Sequence, residues 1–185
     1  MPPAAGLRDE YSQAFYEYWW AQRVVAPAPP RAAIDPAAMI PDLLPQIHLM
    51  DRQPDGGFRW RLMGTGLAGL YGRDLTGGVF DLNGPPYHDP RYLDAYGAVT
   101  AHPCVAVIRA SASTISGRHA GLEQTICPLL DGEGHPSKVI AYTAILGLSP
   151  RELMDFGSLT TLAVAHVDFI DLGAGIPPSE APYDQ

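Results

Sequence analysis

The chain has 185 residues, a formal net charge of -8 and a pI near 5.0. A chain of this length buries about 70% of the surface its unfolded form exposes, so one self-sufficient core is expected. Its 12 Lys and Arg are scattered rather than gathered into a basic stripe, which argues against nucleic acid as a direct partner.

Residues 9–25 read as a helix, with Asp9 as its N-cap and Pro27, Pro29 and Pro30 as its stop. At about 100° per residue, Tyr11, Phe15, Tyr18, Trp19 and Gln22 share one side, while Tyr16 and Trp20 point away from it. This surplus of aromatic surface has two readings. In one, Tyr11, Phe15, Tyr16, Trp19 and Trp20 meet a second copy of the chain or a signalling partner. In the other, the helix lies in a deep groove of its own domain. After the proline linker, Asp35-Pro36 reads as an N-cap and first-turn proline, opening a short helix toward Leu44. Gln46 to Asp51 and Phe58 to Thr65 read as strands joined by the Gln53–Gly57 turn, a hairpin giving two edges of one sheet.

Gly64, Gly66 and Gly69 spell G-x-G-x-x-G after a strand and before a helix, the context of a dinucleotide fingerprint. Phe58, Trp60 and Leu62 alternate with Arg59 and Arg61, the pattern of a half-exposed antiparallel strand rather than a buried parallel one. The helix that follows ends at Gly72, well short of the dozen or so residues a parallel crossover needs. Asp81 lies near the offset of a ribose-binding acid but follows the turn-rich Gly77-Gly78 pair. The dinucleotide reading is therefore set aside.

A further helix is expected from Asp89-Pro90, with Tyr92, Leu93, Tyr96 and Val99 as its apolar stripe and His102-Pro103 as its end. Three strands follow, near 104–114, 122–130 and 139–148. On the first, Cys104, Ala106, Ile108, Ala110 and Ala112 share a face, and Val105, Val107, Arg109, Ser111 and Ser113 share the other. Small residues beneath a helix permit close packing or a cavity, and a cavity would hold a ligand among Trp60, Leu62, Tyr92, Tyr96, Ile108 and Tyr142. Arg109 either anchors an acidic ligand or faces solvent, and solvent is preferred. Ser149-Pro150 and Glu152 open a helix through Phe156, residues 159–172 form an extra strand or an extended arm, and the acidic, proline-rich end past Gly173 reads as a loose tail.

Groups that carry chemistry do not gather. Cys104 and Cys127 form neither a disulfide framework nor a C-x-x-C pair and read as buried thiols. His48, His88, His102, His119, His135 and His166 show no metal-ligand spacing, and no G-x-S-x-G motif is present. The start of the chain lacks the features of a leader, and its longest apolar stretch is far short of a membrane span, so no membrane partner and a cytoplasmic location are expected.

Several blocks in order resemble the PAS sensor domain, closest to the small stand-alone PAS-like family of alphaproteobacteria: Phe15-Tyr16-Glu17-Tyr18-Trp19, Ile34-Asp35-Pro36, Leu43-Leu44-Pro45, Arg61 to Gly77 and Cys127-Pro128-Leu129-Leu130. The resemblance implies an α+β fold, a five-stranded antiparallel sheet with helices over one face, here preceded by the N-terminal helix. Expected boundaries are 1–30 for helix and linker, 31–150 for the PAS-like domain and 151–185 for a C-terminal extension. It also implies sensing or signal relay rather than catalysis, through a small molecule, a protein partner or both. The cofactor is unassigned. His88 and His102 flank the long helix, where some PAS-like sensors ligate haem, and read here as surface or cap residues. The G-x-N-C-R-F-L-Q pattern of flavin-binding PAS domains is missing. A small enzyme acting on an apolar substrate, with Asp51, Asp74, Asp81 and Glu123 as its available acids, and a ligand-free adaptor are the alternatives.

Overall fold

The structure, a computed structural model, describes residues 6–24, 27–35, 38–80 and 89–178. Asp9 is the N-cap of helix α1, Glu10–Ala21, its carboxylate accepting from the Ser12 amide at 2.8 Å. The hairpin forms as its turn chemistry requires, with β1 at Ile47–Arg52, β2 at Phe58–Met63, and the Gln53 amide bonded to the Gly57 carbonyl between them. Helix α2, Thr65–Tyr71, stops at Gly72, whose φ of 69° closes the helix in the left-handed conformation. Helix α3, Arg91–Ala101, precedes strands β3, Cys104–Thr114, β4, His119–Leu129, and β5, Lys138–Ile145. A Ser149–Glu152 capping box starts the short helix α4, Pro150–Leu153, which ends before Phe156, and β6, Leu159–Asp171, follows.

The class is α+β, as expected, but the antiparallel sheet has six strands, in the order β2-β1-β5-β4-β3-β6. Residues 159–171 supply the extra strand, pairing with β3 from Cys104↔Asp171 to Thr114↔Leu159. The hairpin gives one edge, not two, because β1 lies between β2 and β5. The edge at β2 is covered by the 77–80 segment, where the Trp60 amide donates to the Gly78 carbonyl and the Phe80 amide to the Phe58 carbonyl. On β6, the Arg91 guanidinium donates to the Val164 carbonyl at 2.7 Å.

Helices cover both faces of the sheet rather than one. α2 and α3 pack over Met50, Trp60, Ala106, Ile108 and Ile126, while α1 and the 3-10 helix Pro41–Gln46 pack over Ile47, Val105, Val107, Cys127, Ile140 and Tyr142. Strand alternation requires this, since both rows of β3 from Cys104 to Ile108 are apolar and each needs cover. The expected helix from Asp35-Pro36 falls partly on residues outside the described set, and the described helix here is Pro41–Gln46.

Two of the three fingerprint glycines have packing roles. A Cβ on Gly64 would sit 2.5 Å from the Leu44 carbonyl oxygen, and one on Gly66 would sit 2.9 Å from Gln46 Cδ. Two glycines therefore let α2 lie against the 3-10 helix, whereas Gly69 has nothing within 4 Å of its missing Cβ. Every pairing between the six strands is antiparallel, so there is no βαβ unit among the described residues.

Candidate functional site

The α3 side of the sheet gathers one group of large buried rings. Trp60 from β2 and Tyr92 and Tyr96 from α3 are fully buried in one cluster with Phe58 and Phe80, over a floor that includes Ala106 and Ile108. Tyr96 lies 5.5 Å from Phe58 and 5.7 Å from Phe80 between ring centroids. Four of the seven expected ligand-site residues, Trp60, Tyr92, Tyr96 and Ile108, are thus brought together.

The other three are elsewhere, for reasons of strand phase. A register shift in the β1–β2 pairing sets Met50 opposite Trp60 but Leu49 opposite Leu62, so an extra residue, Arg61, enters β2 and Met63 takes the inward position. Leu62 is 36% exposed in consequence. Tyr142 faces α1, stacked on Phe15 at 5.8 Å. Arg109 alternates away from Ile108 onto that same face, where it pairs with the fully buried carboxylate of Glu123 at 3.5 Å and with Asp168. Arg109 therefore does not face solvent.

Within the aromatic cluster runs a buried polar chain. His48 Nε2 lies 2.6 Å from the Tyr96 hydroxyl, that hydroxyl donates to Gln124 Oε1 at 3.3 Å, and Gln124 Nε2 donates to Thr143 Oγ1 at 3.0 Å. The strands fix its geometry, because Ile108, Gln124 and Thr143 stand opposite one another across β3, β4 and β5. Tyr96 has one hydrogen, so while it donates to Gln124 the His48 Nε2–H donates to the Tyr96 oxygen, leaving His48 Nδ1 a bare acceptor. Among the described residues Nδ1 has no partner, and neither does the indole N–H of Trp60, whose ring lies 5.0 Å from the imidazole. A donor and an acceptor, both desolvated, thus stand side by side in the cluster.

Every group here is uncharged. Burial alone pushes His48 down to about 3, and burial raises the Tyr96 phenol well above its usual value. The acids considered from the sequence do not join the site. Asp51 is paired with Arg61 and with Lys138 at 2.8 Å, Asp74 holds a surface turn through the Thr76 amide, and Glu123 lies on the opposite face. Asp81 and His88 lie outside the described residues. Among the described residues no three His, Cys, Asp or Glu gather as metal ligands, and no helix is long and apolar enough to cross a membrane. The arrangement presents one unpaired donor and one unpaired acceptor in uncharged surroundings.

On the α1 face, Phe15, Tyr16 and Trp19 are fully buried against the chain's own sheet, and Trp19 donates to the Pro128 carbonyl at 3.0 Å. Three of the five expected partner-surface residues are thus already used internally, including Tyr16, which helical phase had pointed outward. Tyr11 and Trp20 are half-buried. The start of the helix is anchored by Glu123, which accepts from the Arg8 amide at 3.1 Å and the Asp9 amide at 3.3 Å.

A family model described as the PAS domain matches residues 7–144. The chain belongs to the PAS domain family. Among solved structures it is similar to an RNA-binding light-oxygen-voltage receptor, at 20% identity and a TM-score of 0.43, over 71% of this chain and 39% of that one. It is also similar to a fungal LOV-domain photoreceptor, at 20% identity and a TM-score of 0.45, over 71% of this chain and 90% of that one. The match to the first spans well under half of that receptor's length. No curated protein gives a significant match.

Sequence reasoning missed His48 and Gln124. Gln124 lies in phase with Leu122 and Ile126, and His48 with Met50, so a polar residue in each inward row was the available signal.

Proposed function

We propose that this chain is a non-catalytic sensory or relay module of the cytoplasm that takes a small neutral molecule between α3 and the sheet. The observation that carries this reading is the pair of unpartnered buried groups, His48 Nδ1 and Trp60 Nε1, beside the chain Tyr96–Gln124–Thr143. A buried polar atom without a partner costs about 1–3 kcal/mol, so a ligand that supplies one donor and one acceptor recovers both deficits. The rings are already in contact, so an entering molecule parts them and shifts α3 against the sheet. The half-buried Tyr11 and Trp20 of α1 are the proposed contact for a second copy or a signalling partner.

A thermal-shift screen against pools of neutral metabolites tests the reading. A raised midpoint in the wild type that is absent in His48→Phe supports it. No response to any pool, in a protein that unfolds cooperatively, favours an adaptor with a filled core.

A further inference from the structure

Arg23 presents a separate problem, on the other side of the sheet from the aromatic cluster. Its guanidinium stacks over Trp20 with the central carbon 4.0 Å from the ring centroid, and over Trp19 at 5.8 Å. One terminal nitrogen donates to the Leu172 carbonyl at 3.4 Å. Among the described residues the Nε and the second terminal nitrogen are buried without a partner, and no carboxylate lies within ion-pair distance. Three N–H hydrogens of a cation are thus removed from water without a hydrogen-bond acceptor among the described residues.

Tyr16 adds an independent observation. Its side chain is fully buried, yet among the described residues its hydroxyl has no hydrogen-bond partner. Burial pushes the phenol up to about 12, the nearby Cys127 adds to the rise, and the Arg23 charge opposes it. Tyr16 lies 6.1 Å from Trp19 and 6.2 Å from Trp20 between ring centroids on the last turns of α1, and Arg23, just past the C-cap Gln22, stacks over both indoles, so the phenol, the indoles and the guanidinium gather in one stripe at the end of α1.

We infer that this stripe is an oxyanion-binding recess, in which a carboxylate or phosphate group accepts from the free Arg23 nitrogens and from the Tyr16 hydroxyl, flanked by the Trp20 ring. The group is anionic, since a counter-charge offsets a desolvated guanidinium more fully than the carbonyl and ring it already meets. It must also be an acceptor throughout, since every unpartnered atom named, including the hydroxyl, has a hydrogen to donate. The inference is independent of the ligand proposed for the α3 side.

Tryptophan fluorescence supplies the test, because two of the three Trp residues border the recess. Inorganic phosphate and, separately, acetate are titrated into the full chain at constant ionic strength. The expected result is a saturable change for at least one anion. Tyr16→Phe, which removes only an unpartnered hydroxyl, then weakens that anion about ten-fold or more. Arg23→Gln abolishes the change and Arg23→Lys restores part of it. The inference is overturned if neither anion gives saturation beyond a chloride control, or if Arg23→Gln, shown folded by circular dichroism, titrates like the wild type.

Discussion

Two buried tyrosines lose the same oxygen in Tyr96→Phe and Tyr16→Phe, and the structure gives the two substitutions opposite consequences. In Tyr96→Phe the ring keeps its contacts with Phe58 and Phe80, but His48 Nε2 and Gln124 Oε1 lose the hydroxyl that lay 2.6 and 3.3 Å away. Each becomes a buried polar atom without that partner, at about 1–3 kcal/mol apiece. The longer bond to Gln124 places its share at the low end, so a loss of about 2–4 kcal/mol is expected. Tyr16→Phe deletes a hydroxyl that has no partner, so its effect is expected to lie between neutral and a gain of about 1 kcal/mol. Urea unfolding of both variants and the wild type, at neutral pH in phosphate-free buffer, reads the contrast directly. Equal stability of Tyr96→Phe and the wild type, or equal losses in both variants, refutes the polar chain as drawn.

Gly64→Ala places a Cβ 2.5 Å from the Leu44 carbonyl oxygen and is expected to cost about 1–3 kcal/mol, whereas Gly69→Ala, with open space at a helical position, gains up to about 1 kcal/mol; thermal midpoints of the two variants check the sign of each. Glu123→Gln leaves the Arg109 guanidinium with Asp168 alone and weakens the bonds to the Arg8 and Asp9 amides, so a loss of about 3 kcal/mol and faster hydrogen exchange at those amides are expected. Because burial holds His48 down to about 3, the unfolded chain takes up a proton there that the folded chain refuses. Stability therefore falls as pH drops below about 6.5, by up to about 1.4 kcal/mol per pH unit, and His48→Gln flattens that slope in urea melts between about pH 6.5 and pH 5.

The elements that were legible in the sequence are those governed by local chemistry. Asp9 as a cap, the Gln53–Gly57 turn, Gly72 as a stop and the two rows of β3 are all consequences of residues close in the chain. What stayed hidden depended on distant partners. The Arg61 bulge moved Leu62 out of the core and Met63 in, a shift that pure alternation along β2 does not reveal. The burial of Tyr16 follows from sheet rows on β3, β4 and β5 more than 80 residues away in sequence. Arg109 resembled a solvent-facing charge because its two carboxylates, Glu123 and Asp168, come from other strands. Of the candidate site, the aromatic walls were legible through helical spacing on α3, but the His48–Tyr96–Gln124 chain joins three elements and had no local signature.

Native mass spectrometry after incubation with the small-molecule fraction of a cell lysate, compared with the denatured mass, tests the sensory reading most directly. The account predicts a mass excess matching one neutral small molecule per chain, retained by Tyr16→Phe and lost in His48→Phe. A bare polypeptide mass for the folded wild type, or an excess that survives His48→Phe undiminished, would contradict the assignment of the α3 side as the ligand site.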